Sequence, residues 1–130
     1  MAVRTIATAK APQDVYERGD SALDDRLDSE SCAEKLKALG EPIRLRIVDL
    51  LRRGPQTVGE IALSLEHDLA LVSHHLRILH GAALVERRKE GRFVIYRLRE
   101  GILEAAKSGA RSERLDLGCC RLEVPDGDGE

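Results

Sequence analysis

Apolar residues recur at helical spacing in two adjoining stretches between positions 57 and 81. In the first stretch they stand at i, i+3, i+4 and i+7: Val58, Ile61, Ala62 and Leu65. In the second stretch the spacing repeats: Val72, Leu76 and Leu79. Such spacing predicts two amphipathic helices. The break lies at Glu66 to Asp68, and Asp68 suits an N-cap because its carboxylate can accept hydrogen bonds from free N–H groups of the first turn.

The second of these helices has an outward side that differs from its apolar side. If the valine and leucines point inward, five residues point outward: Leu69, Ala70, Ser73, His74 and Arg77. This face is short enough to enter a DNA major groove. An ordinary helical hairpin would show the same pattern, so the residues that follow must decide between the two interpretations.

A basic β-hairpin is predicted directly after this helix pair. Residues 84–88 and 92–98 are rich in β-branched residues or alternate between apolar and polar, which is typical of strands. They are joined by residues 89–92, where Gly91 is available for a left-handed turn position. A helix-turn-helix followed by a basic hairpin favours a nucleic-acid-binding interpretation.

Further helices are predicted on both sides of this unit. Ser31 to Glu34 fits a capping box, which predicts a helix over residues 31–39. Pro42, tolerated in a first helical turn, opens a second helix that runs to about residue 53. After the hairpin, apolar residues predict a closing helix over residues 101–108, with a possible extension to about residue 114.

Composition indicates one globular domain with an aliphatic core. The chain has 130 residues, of which 42% are hydrophobic and 34% charged, and its aromatic residues are Tyr16, Phe93 and Tyr96. No apolar run approaches the roughly 20 residues of a membrane span, and the N-terminus has no apolar signal-peptide core. We therefore expect a cytoplasmic protein without a membrane partner, in which the cysteines are thiols by default.

Charge is distributed unevenly along the chain. The net charge of the chain is −2, but residues 41–99 carry a net charge of +4, so the positive charge lies in the region that contains the predicted helix-turn-helix and hairpin. Residues 1–28 are predicted to be a disordered acidic tail, which could alternatively bind a partner. Residues 29–114 form the predicted DNA-binding and dimerisation domain, and residues 115–130 form a tail that contains cysteines.

The order of elements and three segments resemble the ArsR/SmtB family of bacterial winged-helix repressors. The resemblance covers about residues 31–110 and is most specific in Leu39–Ile47, Val72–Leu79 and Gly81–Arg92. It implies a mainly α fold with a small β-hairpin, in the order α-α-α-α-β-β-α. It also implies a homodimer, formed through the first and last helices, that binds an imperfect palindrome in double-stranded DNA as a repressor and is released by an inducer.

The resemblance also implies which residues contact DNA. In the recognition helix they would face bases or phosphates: Ser73, His74 and Arg77. In the hairpin, or wing, Lys89 and Arg92 would contact the DNA backbone or minor groove. Many relatives carry polar residues in the first turn of this helix, where this chain has Leu69, Ala70 and Leu71. Base reading should therefore depend on Ser73, His74 and Arg77.

Two metal sites known in the family lack their ligands in this sequence. Many members place a Cys-x-Cys pair in the helix before the recognition helix, but residues 58–61 contain no Cys. Other members place carboxylates and histidines on the last helix, but residues 101–114 contain no His. His75 and His80 are interpreted as packing or surface residues.

The remaining candidate ligands are the three cysteines. A bridge between the adjacent Cys119 and Cys120 would be strained, because their Cα atoms are about 3.8 Å apart. Two neighbouring thiolates can instead bind one soft ion, and Cys32 could supply a third sulfur. Some arsenic-responsive relatives also carry an adjacent Cys pair at the end of the closing helix. We therefore hypothesise release by arsenite, antimonite, cadmium, lead or mercury, with no other cofactor required.

Several alternatives remain open from the sequence alone. The cysteines could be chemically idle, or a repressor of the same fold could respond to redox or persulfide signals, or act without metal. A winged helix that binds a protein rather than DNA is suggested by Leu69 and Leu71. A thiol enzyme is less favoured, because no phosphate loop or nucleophile-activating group accompanies Cys119 and Cys120, so no enzyme activity is expected.

Overall fold

The computed structural model describes residues 16–17, 29–104 and 114–123. Four helices and a first sheet make up the part of the domain that the sequence resemblance covers. The helices are α1 Ser29–Leu39, α2 Pro42–Leu51, α3 Val58–Leu65 and α4 Leu69–Gly81. The strands are β1 Gln56–Thr57, β2 Val85–Glu90, β3 Phe93–Leu98, β4 Leu103–Glu104, β5 Arg114–Asp116 and β6 Arg121–Glu123. Most of the predicted tail 1–28, residues 105–113 and residues 124–130 lie outside the described residues.

The predicted hairpin is confirmed as an antiparallel pair of β2 and β3. Val85 lies opposite Leu98, and Glu90 lies opposite Phe93 at the turn. Gly91 has φ +65° in this turn, a conformation that residues with a side chain rarely adopt. The short strand β1 adds to the other side of β3, so the sheet order is β1-β3-β2. Strand β1 is too short for sequence alternation to predict it.

The core is aliphatic, as the composition predicts. Fully buried side chains come from all three central helices: Ile47, Ile61, Val72, Leu76 and Leu79. Tyr96 is the one aromatic residue among the buried core residues of the described chain. The predicted inward residues of α3 and α4 thus pack against α2 and the sheet. This packing leaves the opposite side of α4 at the surface.

The start of α1 differs from the sequence prediction. The helix includes Ser29 and Glu30, so Ser31 lies inside it with its side chain fully buried. The predicted capping box at Ser31 and Glu34 is therefore wrong. The prediction for α2 is confirmed at its start: Glu41 caps the helix by accepting from the backbone N–H groups of Ile43 and Arg44 at 2.7 and 3.2 Å.

The predicted closing helix over residues 101–108 is wrong where the structure describes it. Gly101 has φ +89°, which turns the chain, and Leu103 pairs with Leu115 across two antiparallel strands. Asp116 N–H donates to the Ile102 carbonyl at 2.7 Å, so this backbone is used in sheet pairing. A short apolar run in a sequence fits either a strand or a helix. Here the pairing of residues 103–104 with residues 114–115 makes the segment a strand. The predicted dimer contact through a last helix thus loses its basis at residues 103–104.

A second small sheet follows, with strand order β4-β5-β6. Strands β5 and β6 lie at the start of the segment that the sequence analysis describes as a tail containing cysteines. Its turn, between β5 and β6, carries Cys119 and Cys120. Among the helices that the structure describes, none combines the length and apolarity needed to cross a membrane.

Candidate nucleic-acid interface and cysteine cluster

Helix α4 has the two-sided character that its sequence predicts. Asp68 is its N-cap and accepts from the N–H of Leu71 at 2.9 Å. Glu66, in the left-handed conformation with φ 60°, makes the preceding turn tight. On the outward side, Leu69 is 56% exposed, and His74 and Arg77 are also exposed. Because α3 and α4 meet through this tight turn and share one core, they form a helix-turn-helix.

A groove of about 310 Å³ lies between α4 and the wing. Three of the predicted DNA-contacting residues line it together: Ser73, Arg77 and Lys89. The other two, His74 on α4 and Arg92 at the wing tip, are exposed but do not line the groove. A surface that combines a helix able to enter a major groove with basic side chains on a neighbouring hairpin can contact bases and phosphates at once.

Arg87 lines the same groove and was missed by the sequence analysis. It lies opposite Tyr96 in the β2–β3 register, and a hydrogen bond that the guanidinium of Arg87 donates to the Tyr96 side chain raises the pKa of Arg87. The sequence does hold a signal for Arg87. Residues two apart on a strand share a face, so Arg87 belongs on the face of Lys89.

Two residues of the predicted tail also reach the wing. Glu17 forms an isolated antiparallel bridge with Arg87, through backbone hydrogen bonds of 2.6 and 3.1 Å in the two directions. The ring of Tyr16 lies 3.9 Å from the guanidinium carbon of Arg97 and 5.1 Å from that of Arg88. The sequence carries no pattern that would have predicted these contacts, because apolar periodicity is absent around positions 16 and 17.

His75 connects the recognition helix to α2. An Arg44 guanidinium nitrogen lies 3.0 Å from His75 Nδ1. Because guanidinium can only donate, Nδ1 accepts and the imidazole is neutral with its proton on Nε2. Burial is the main cause that lowers the pKa of His75 below its ordinary value of 6.5. The same arginine donates from Nε to the Ala38 carbonyl at 2.5 Å, so Arg44 links α1 to α4. This agrees with the interpretation of His75 as a packing residue.

The three cysteines meet in one cluster within a single chain. Cys32 on α1 and Cys119 are joined by a disulfide that spans 87 positions, with a Cα–Cα distance of 6.0 Å. Cys120 is a free thiol, and the three sulfur atoms all lie within 4.8 Å of one another. A turn holds the adjacent pair in place, with the Leu117 N–H donating to the Cys120 carbonyl at 2.9 Å. All three cysteines are half-buried.

The chemistry of this cluster suits a soft ion when the thiols are reduced. Thiolate is the ligand preferred by soft, thiophilic metals and metalloids. Bonds of about 2.3 Å from one ion to three thiolates place the sulfur atoms roughly 4 Å apart, which is within the 4.8 Å limit that encloses all three sulfur atoms here. Cys32 and Cys119 are joined by a disulfide, so these two sulfur atoms would have to be reduced and move apart before they could bind an ion. The cluster can therefore hold an ion or form a disulfide, and these two states exclude each other at Cys32 and Cys119.

The fold and the groove define a winged helix-turn-helix protein. A model of the family described as "Bacterial regulatory protein, arsR family" matches residues 41–87. The HTH-type transcriptional regulator NmtR of Mycobacterium tuberculosis is 36% identical over 97 residues, covering 71% of this chain and 81% of that protein. The transcriptional repressor SdpR of Bacillus subtilis is 37% identical over 68 residues, covering 52% and 76%. This chain therefore belongs to the ArsR family of bacterial regulatory proteins, which are transcriptional regulators and not enzymes.

Solved structures agree with this assignment. A homodimeric winged helix-turn-helix DNA-binding domain from Mycobacterium bovis, described as a possible ArsR-family regulator, has a TM-score of 0.52 and 38% identity. It covers 53% of this chain and 64% of that one. A possible transcriptional regulator for arsenical resistance has a TM-score of 0.50 and 43% identity, covering 52% and 70%. The chain is thus a transcriptional repressor of the ArsR/SmtB type, and its family binds DNA.

Proposed function

We propose that this repressor is released from its operator by a soft metal or metalloid ion held by the thiolates of Cys32, Cys119 and Cys120. The observation that carries the proposal is the meeting of all three sulfur atoms within 4.8 Å. Arsenite and antimonite suit a pyramidal three-sulfur site, and cadmium, lead and mercury are the other candidates. The relation to a possible regulator for arsenical resistance supports the metalloids.

Protonation should oppose binding at this site. Each thiol must lose its proton to become a ligand, so affinity for the ion falls as pH drops. Reducing conditions are also required, because the Cys32–Cys119 disulfide removes two of the three donors. Both conditions follow from the sulfur chemistry and distinguish this cluster from a site built of histidines and carboxylates.

A path of direct contacts leads from the cluster to the DNA-reading helix. Cys32 lies on α1, whose Ala38 carbonyl accepts from Arg44, and Arg44 donates to His75 on α4. An ion can change DNA affinity only if it binds the DNA-competent and DNA-incompetent states with different strength. We propose that ion binding shifts α1, and that Arg44 transmits this shift to the orientation of α4.

The DNA complex is proposed to contain two copies of this chain. Homodimers place two recognition helices on successive major grooves, which matches the symmetry of a palindromic operator. The M. bovis neighbour is a homodimer, and in this chain Leu36 of α1 is 41% exposed. Helix α1 is therefore the proposed dimer face. A shift of α1 on ion binding would then also change the separation of the two α4 helices.

Redox sensing is a second candidate, favoured by the bond between Cys32 and Cys119. In this case a peroxide oxidises the two thiols, so that one peroxide and two thiols give one disulfide and two waters. The disulfide ties α1 to the turn between β5 and β6. This mechanism needs Cys32 and Cys119 but not Cys120, whereas a three-thiolate ion site needs all three residues.

The decisive experiment titrates a complex of the repressor with its own promoter. Under reducing conditions we would add arsenite, antimonite, cadmium, lead, mercury or zinc. In a parallel series the protein would first be reduced, then freed of reductant and treated with hydrogen peroxide in place of the ion. The three variants are Cys32→Ser, Cys119→Ser and Cys120→Ser. The proposal expects release by at least one soft ion and loss of release in all three variants. Cys120→Ser is the informative control, because it should still respond to peroxide if the redox candidate holds.

Two results would overturn the ion proposal. One is a promoter complex that none of the ions releases. The other is release that persists in Cys119→Ser and Cys120→Ser, which would move the site to other residues, the histidines above all. Release by peroxide alone, retained in Cys120→Ser, would establish the redox candidate instead.

A further inference from the structure

Residues 16 and 17 lie against the wing, where Glu17 forms an isolated antiparallel bridge with Arg87. In the first sheet β2 is an edge strand, with β3 on its other side. Glu17 pairs with Arg87 of that edge through two backbone hydrogen bonds, of 2.6 and 3.1 Å. His80, at the end of α4, also contacts the backbone of Glu17, since its Nε2 lies 3.2 Å from the Glu17 carbonyl oxygen. Glu17 is therefore anchored through its backbone.

The side chains of Tyr16 and Glu17 contact opposite faces of the wing. Tyr16 stacks on Arg97 and Arg88, which project from one face of the wing. Glu17 projects to the other face, where its carboxylate lies 3.3 Å from the Arg87 guanidinium. Successive residues of a paired strand point to opposite faces, so both contacts arise from one register. The Tyr16 contact and the Glu17 contact therefore both stabilise the same position of this pair of residues against the wing.

The carboxylate of Glu17 is paired with a basic side chain of the groove between α4 and the wing, since it lies 3.3 Å from the Arg87 guanidinium. It lines the groove between α4 and the wing together with Ser73, Arg77, Arg87 and Lys89. Because its side chain is 67% exposed, it can move away without disturbing the core. Phosphate contacts are made by basic side chains and are the main source of salt-dependent affinity. A carboxylate paired with one of those side chains takes the place of a phosphate.

We propose that Arg87 is a phosphate-binding residue of the DNA complex, and that Glu17 competes with DNA for it in the free protein. This inference rests on the DNA-binding half of the proposed function and is independent of the cysteine cluster. DNA displaces the Glu17 side chain from Arg87, while the backbone pairing and the Tyr16 stack can persist. Glu17, held in place together with Tyr16, therefore acts as an intramolecular competitor that lowers the affinity of the protein for all DNA sequences.

The test compares Glu17→Gln with wild type in binding to its own promoter and to a random-sequence duplex, over a range of salt concentrations. Glu17→Gln keeps the backbone bridge and removes the charge, so it should bind both DNAs about two- to fivefold more tightly at low salt. Its affinity should also fall more steeply with salt, by up to about one unit of slope. Glu100→Gln, which removes one exposed charge outside the groove, is the matched control and should match wild type.

Arg87→Gln completes the test as a double-mutant cycle. It should weaken binding to both DNAs and reduce the salt slope, and Glu17→Gln should have no further effect in its background. Tyr16→Ala should raise affinity by loosening the segment, whereas Tyr16→Phe, which keeps the ring, should not. The proposal is overturned if Glu17→Gln binds no more tightly than Glu100→Gln, or if its effect survives in Arg87→Gln. Failure of wild type to bind either DNA would instead refute the proposed function itself.

Discussion

Arg44 of α2 donates a hydrogen bond to Nδ1 of His75 on the recognition helix, at 3.0 Å. Its Nε donates to the Ala38 carbonyl near the end of α1. One side chain therefore joins the helix that carries Cys32 to the predicted recognition helix. The cysteine cluster and the predicted DNA-binding surface are separate in this molecule, and under the proposed function Arg44 is a contact through which a change in one can reach the other.

Replacing Arg44 with Gln should weaken both the fold and the response to the inducer. A shorter neutral side chain cannot make both hydrogen bonds, so the free energy of unfolding should fall by about 1 to 3 kcal/mol. Urea unfolding measures this loss, and promoter release by a soft ion should become weaker at equal occupancy of the cysteine site. Arg46→Gln, at an exposed position of the same helix, is the control. A normal response in Arg44→Gln would remove Arg44 from the path.

The protein should lose stability as pH falls through the histidine range. Burial lowers the pKa of His75, and also that of His80, below the ordinary value of 6.5. The unfolded chain then binds protons more readily than the folded chain, so the stability present above about pH 6.5 declines as pH drops toward the lowered folded-state values. Unfolding in urea from about pH 7.5 to 5.5 measures the slope.

In the same measurement His75→Gln should flatten the pH dependence without abolishing it, because His80 remains. His74→Gln is the matched control for removal of one imidazole from the same helix. A wild-type slope in His75→Gln would show that protonation of this residue does not oppose folding.

The cap of the recognition helix gives a prediction that involves neither DNA nor the cysteines. Asp68 accepts from the N–H of Leu71, so Asp68→Ala should lower the free energy of unfolding by about 1 kcal/mol. Asp68→Asn retains an acceptor oxygen and should recover most of the loss. Equal destabilisation by the two variants would mean that charge, not the hydrogen bond, stabilises this end of α4.

The groove residues should separate into those that read bases and those that contact the backbone. Lys89→Gln should weaken binding to every sequence and reduce the dependence of affinity on salt by about one unit of slope. Arg77→Gln should instead reduce the free energy of binding to the promoter by about 1 to 3 kcal/mol, and should reduce the free energy of binding to random-sequence DNA by less. Arg114→Gln, in the second sheet, is the control for loss of one positive charge. Equal losses on both DNAs for Arg77→Gln would assign it to the backbone.

Local sequence pattern was sufficient to predict the helix-turn-helix and the hairpin that follows it. The spacing of Val72, Leu76 and Leu79 predicted the buried side of α4, and Asp68 predicted its start. Gly91 predicted the turn of the wing. These features depend on neighbours within a few positions, where side-chain period and capping chemistry decide the structure. The DNA-contacting roles of individual residues remain predictions that the binding experiments must test.

Contacts between distant parts of the chain could not be predicted in this way. Arg87 and Glu17 are 70 positions apart, and Cys32 and Cys119 are 87 apart. The sequence offered the three cysteines as a possible ligand set, but it could not show that they meet within one chain. The misplaced closing helix has the same cause: Leu103 pairs with Leu115, and a short apolar run cannot reveal that partner.

The central claim, that the cysteine cluster and the DNA surface are coupled, is tested most directly through the reciprocity of binding. The affinity of the reduced protein for the releasing ion should be measured for the free repressor and for the promoter complex. Thermodynamic linkage requires that DNA weaken ion binding by the same factor by which the ion weakens DNA binding. Our account predicts weaker ion binding in the complex, with the difference lost in Cys120→Ser. Equal ion affinity with and without DNA would contradict it.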